Sequence, residues 1–233
     1  MEINDSIEEA FKSMGDIYHN MLCDKQIALT RDNIGFTERN LTFYFCSEYR
    51  GKNKDAIIWQ ELPIFDSHQH LDSIVMDKDE KNDTIDIYYI EAKRIYNKNY
   101  VIRPGSNSHG SLDDDYKRLR GLFSEEQFVK KIPGLYDFQK GCTTVRHHIV
   151  LLASLEYKPK EKPNTYNDRV TAIHDFAKDR GMQMLHYNVK DGYGIAENYS
   201  KDELMYPHGG NGQETLSFVN LDLYLMIEDV KHC

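Results

Sequence analysis

Long apolar runs are missing from this chain: no stretch approaches the ~18 residues that a membrane span needs, so no membrane partner is expected. Cysteine is sparse. The four thiols, Cys23, Cys46, Cys142 and Cys233, lie far apart with no C-x-x-C pair, which argues against a zinc ribbon and offers no disulfide framework. A basic-then-apolar leader is lacking too, since the chain opens M-E-I-N-D-S-I-E-E, and a cytoplasmic address is the expectation. Positive charge is in deficit, at 29 Lys and Arg against 38 Asp and Glu, so a phosphate-bearing partner would have to be met by a local basic face rather than by bulk charge. Carboxylates gathered around a divalent cation would account for part of that excess. No internal repeat or low-complexity segment is visible.

What is there is enough for one domain with elaborations. The 233 residues can bury a substantial core, whereas two full domains would be a tight fit. Ile7, Phe11, Met14, Ile17, Tyr18 and Met21 recur at three-and-four spacing and predict a packing helix within residues 2–29. Thr37 caps a second helix to Tyr49, in which Glu38, Leu41, Phe45 and Tyr49 share one face. Glu38 thus begins a stripe that otherwise faces the core, and a carboxylate there needs a partner or a metal.

Three strands follow Gly51, through D-A-I-I-W-Q-E-L-P-I, H-L-D-S-I-V-M-D and T-I-D-I-Y-Y-I-E-A-K-R-I-Y, with a charged turn between the last two. Ser111 and Asp114 form a variant capping box for a helix from about Leu112 to Lys131, which carries Lys117, Arg118 and Arg120. Thr143–Tyr157 reads as a long strand, Tyr166–Arg180 as a helix ended by Gly181, Met182–Val189 as a strand, and Leu216–Ile227 as a final strand-like run. A strand block followed by strand-helix alternation predicts an α/β sandwich with a mixed central sheet.

The polar interruptions of the strand block carry the chemistry. Ile87, Tyr88, Tyr89 and Ile90 make their strand apolar on both faces, which argues that Glu91 and Lys93 are buried rather than on an exposed edge. Strand alternation points those two side chains to one face, with Ala92 turned away. If the second and third strands pair as a hairpin, Asp72 lies beside Glu91. Two carboxylates can hold a divalent metal while leaving positions for water and a phosphate oxygen, and a nearby ammonium suits the developing negative charge.

Asp72, eighteen residues, then E-A-K, preceded by a helix with a Glu and followed by a basic helix, resembles the PD-(D/E)XK nuclease superfamily. The resemblance covers about residues 37–190 as an α-β-β-β-α-β core of the restriction-endonuclease-like fold, with N- and C-terminal extensions. Leu71 stands where the motif has its proline. The resemblance implies that Asp72 and Glu91 bind Mg²⁺, or Mn²⁺ in its place, that Lys93 orients or helps deprotonate the water, and that Glu38 matches a helix glutamate used by some members. Glu61 is a further metal-ligand candidate at a strand position where members can carry an acid. The expected partner is nucleic acid, DNA before RNA, with Lys117, Arg118, Arg120 and Arg94 contacting phosphate, joined by Arg103 and Arg146; a homodimer is a further expectation. The alternative is a catalytically silent member that binds nucleic acid or a protein partner.

The same stretch holds a rival. F-D-S-H-Q-H-L-D is similar to the H-x-H strand of metal-dependent amidohydrolase barrels, in which His68 and His70 would bind a transition metal. About sixty residues precede it and about 160 follow, short of the roughly 250 of a (β/α)₈ barrel, and a polar hairpin rather than a helix comes next. His147 and His148 are adjacent and therefore point to opposite faces of their strand. Gly209–Gly212 lacks the Lys-Ser/Thr that a phosphate loop requires.

Overall fold

A computed structural model gives the fold and describes residues 4–24, 37–63, 70–79, 83–102, 110–123, 144–156, 163–189, 192–195 and 221–230. Helix α1 (Asp5–His19) is capped by Asn4, whose side chain accepts from the Ser6 amide, and buries Ile7, Phe11, Met14 and Tyr18. It ends at His19, and a π turn, Asn20–Asp24, continues the chain with Leu22 still in the core. Helix α2 (Glu38–Lys52) starts where Thr37 Oγ1 accepts from the Asn40 amide, at 3.3 Å, and buries Leu41, Phe45 and Tyr49.

Strands β1 (Ile57–Pro63), β2 (His70–Asp79) and β3 (Thr84–Arg94) form an antiparallel meander. Helix α3 (Leu112–Phe123) follows, and its start is a reciprocal box: the Asp114 amide donates to Ser111 Oγ while the Ser111 amide donates to Asp114 Oδ2. The predicted continuation of this helix to Lys131 lies outside the described residues. Strand β4 (Thr144–Glu156) pairs parallel with β3, the crossover passing through α3. Helix α4 (Pro163–Asp179), β5 (Gln183–Asn188), β6 (Gly192–Ile195) and β7 (Leu221–Val230) complete the described elements. Gly181, at φ 64°, takes the left-handed turn that releases the chain from α4 into β5.

The seven strands make one mixed sheet in the order β1-β2-β3-β4-β7-β5-β6. The last strand is therefore inserted between β4 and β5, antiparallel to both. Because strand side chains alternate, each central strand feeds two cores. Ile85, Ile87 and Tyr89 pack with α3 and α4, whereas Tyr88, Ile90 and Ala92 pack with α1 and α2. Glycine at position 15 lets α1 lie directly on the Tyr187 ring of β5, where a Cβ would collide. This open sheet, parallel only between β3 and β4 among the described strands, is not the closed parallel barrel that the H-Q-H reading requires. Among the described residues, no helix is long and apolar enough to cross a membrane.

Candidate active site

The register of the meander brings the predicted pair together. The paired register ends with Ser73 opposite Ile90, which leaves Asp72 and Glu91 each one residue past the last pair. Both fall in the alternation that faces α3 and α4, as does Lys93 two residues on. Asp72 Oδ2 accepts from the Ala92 amide at 2.8 Å, which fixes the carboxyl at the end of the β2–β3 ladder. Burial raises the Asp72 pKa above its ordinary value, the Ala92 amide opposes the rise, and the negative charges of Glu38 and Asp115 add to it.

Glu91 is 4% exposed. Burial, then the Asp72 charge, pushes its carboxyl up to about 9, although Arg118 Nη2 stands 2.6 Å from Oε1. The guanidinium does not win because the contact is off-axis: Glu91 Oε1 is buried without a hydrogen bond. Coulombic attraction alone then opposes the desolvation of a buried carboxylate.

Lys93 Nζ sits 3.0 Å from Asp115 Oδ2 and 3.8 Å from Glu38 Oε1. Burial works against its ammonium, but these two carboxylates more than offset that and hold its pKa above the ordinary lysine value. Lys93 is consequently a fixed cation, suited to orienting water and stabilising negative charge but not to accepting a proton. Glu38, the first residue of α2, approaches from the other face of the sheet, and its Oε1 also accepts from the Arg94 amide at 3.1 Å.

Glu61 is directed elsewhere. Its backbone is left-handed at φ 53°, and its half-exposed carboxylate pairs with Arg39 Nε at 2.9 Å rather than joining Glu91. The predicted phosphate contacts among the described residues are engaged within the chain. Lys117 pairs with Asp113 at 2.7 Å and Arg120 with Glu228 at 3.4 Å. Arg94 pairs with Glu156 at 2.5 Å beneath the Tyr96 ring, and Arg146 makes a bidentate pair with Asp86. Arg118 turns inward to Glu91 and Asp115 and donates to the His70 carbonyl. Arg103 and His68 lie outside the described residues, and His70 is exposed at the start of β2. The adjacent histidines do face opposite ways: His147 bonds the Tyr89 hydroxyl, whereas His148 bridges Asp86 and Asp229.

No family model, curated protein or solved structure matches the chain. Geometry is therefore the guide to the chemistry. Asp115, in the acidic first turn of α3, joins the site although it is not among the candidates named from the sequence. Its spacing from Leu112 and Leu119 places it on the buried stripe of α3, and that spacing was the available signal. Among the described residues no three His, Cys, Asp or Glu side chains are arranged to hold a metal ion. Two carboxylates are, however, a donor set that fits Mg²⁺, which keeps several of its own waters. The buried Glu91 oxygen without a hydrogen bond is the observation that favours that fit.

Proposed function

We propose that the chain is a Mg²⁺-dependent nuclease that hydrolyses phosphodiester bonds of nucleic acid, DNA before RNA, at Asp72, Glu91 and Lys93. One observation carries the reading: the half-buried Asp72 and the buried Glu91 stand on neighbouring strands just past the last paired residues, Ser73 and Ile90, with the Lys93 ammonium one alternation beyond Glu91. The succession α2–β1–β2–β3–α3–β4 has the order of the restriction-endonuclease-like core and supports it. In this reading Asp72 and Glu91 hold the metal, which when bound supplies Lewis acidity to a phosphate oxygen and to water. The Ala92 amide keeps Asp72 in place for that task. Lys93 positions the water and offsets charge that develops on the phosphoryl oxygens, while Asp115 and Glu38 keep its ammonium protonated and oriented. Lys117, 68% exposed along its side chain, is the best-placed of the predicted cations to reach a substrate phosphate. One chain supplies the whole constellation.

A second reading has its own observation. Arg118 on Glu91 and Lys93 on Asp115 neutralise the acids internally, as in a silent member of the fold that binds nucleic acid without cutting it. Incubating the purified protein with plasmid and single-stranded DNA, plus Mg²⁺ or Mn²⁺, separates the two. The nuclease reading expects cleavage by the wild type and none by Asp72→Ala or Lys93→Ala. Equal behaviour of all three proteins rejects it in favour of the binder.

A further inference from the structure

Arg118 occupies a specific place. Its guanidinium reaches from α3 to the two strands, 2.6 Å from Glu91 Oε1 on β3, 3.3 Å from Asp115 Oδ1 on its own helix, and 3.3 Å from the carbonyl of His70 at the start of β2. The Glu91 oxygen that it touches is the buried oxygen lacking a hydrogen bond. Arg146, by comparison, meets Asp86 bidentately along its N–H directions. Arg118 instead acts on Glu91 by charge while its hydrogen bonds go to Asp115 and His70.

We propose that Arg118 is an exchangeable counter-ion of the centre, holding the cation's place beside Glu91 and withdrawing from it when a divalent ion binds. This rests on the metal-site reading of Asp72 and Glu91. Two cations cannot share Glu91 Oε1 at contact distance without strong mutual repulsion. The guanidinium has somewhere to go, since Asp115 and the His70 carbonyl retain it within reach while its contact with Glu91 opens. Asp115 on α3 holds both Lys93 of β3 and Arg118 of its own helix, with one oxygen toward each. Metal entry is thus opposed by a charge already in place, and removal of that charge strengthens metal binding even though an attractive ion pair is lost.

The test is a titration of metal-free protein with Mn²⁺, read by electron paramagnetic resonance of the unbound ion. Arg118→Gln is expected to bind Mn²⁺ about tenfold more tightly than the wild type, within the roughly 5–150-fold span of coupled sites. Arg118→Lys, which keeps one charge but cannot span Glu91, Asp115 and His70 together, is expected to fall between them. It also serves if Arg118→Gln does not fold, because any gain over wild type then supports exchange. Binding that is unchanged or weaker in the folded variants, or no binding by any of them, overturns the proposal. Tighter binding in Arg118→Gln with no DNA cleavage by the wild type would leave the exchange standing and remove the nuclease reading. Cleavage without any gain in Mn²⁺ affinity would do the reverse.

Discussion

Replacing Glu91 by Gln is expected to stabilise the metal-free protein above neutral pH, although it deletes one side of a buried ion pair. In the unfolded chain Glu91 titrates near its ordinary value of 4.5, and in the native protein near about 9. Between those values the folded state holds a proton that the unfolded state has released. Stability is therefore greatest below pH 4.5 and declines as pH rises toward about 9. At pH 8 the ceiling on this cost is about 5 kcal/mol. Gln removes it but also removes the attraction of Arg118, which keeps Asp115 and the His70 carbonyl. The net gain should be about 1–3 kcal/mol. For a chain of this size that is about 3–10 °C in Tm. Thermal melts in chelator at pH 5, 6.5 and 8 provide the assay. The wild-type slope should flatten in Glu91→Gln without vanishing, because Asp222, fully buried and pushed up to about 8, contributes with the same sign. A variant that melts below wild type at pH 8, with the slope intact, would mean that Glu91 is ionised and locked by Arg118, and the reasoning fails.

Gly15→Ala places a methyl group into the Tyr187 ring, between α1 and β5, and should cost about 1–3 kcal/mol in urea unfolding; a cost under a few tenths would refute that close approach. Arg169→Met removes a buried guanidinium that donates to the Ile95 carbonyl at 2.8 Å and the Glu156 carbonyl at 2.9 Å, just past β3 and at the end of β4. Leaving those carbonyls unsatisfied should cost about 2–4 kcal/mol, and a neutral result in the same unfolding assay would contradict it.

Local rules made much of this fold legible. Thr37 and the Ser111–Asp114 box announced two helix starts because caps act within four residues. The apolar run around Tyr88 and Tyr89 announced a strand buried on both faces, and strand alternation then aligned Glu91 with Lys93. Register followed from the hairpin, which pairs Ser73 with Ile90 and so brings Asp72 and Glu91 to the same end of the ladder. Long-range placement was not legible in the same way. Nothing local in Leu221–Val230 says that it enters between β4 and β5, since that depends on which exposed edge is open when the tail arrives. Arg118 and Arg120 were expected to contact phosphate, but a side chain's partner on another element is decided by packing, and theirs are Glu91 and Glu228. Glu61 followed the strand pattern until its left-handed backbone took it to Arg39.

The most direct test of the central claim is single-turnover cleavage of end-labelled DNA by protein stripped with chelator and then given Mg²⁺, with Asp72→Asn alongside. The account predicts no product before Mg²⁺, product after it, and a loss of about 100-fold or more in Asp72→Asn. Cleavage that persists in chelator, or that is equal in wild type and Asp72→Asn, would contradict it.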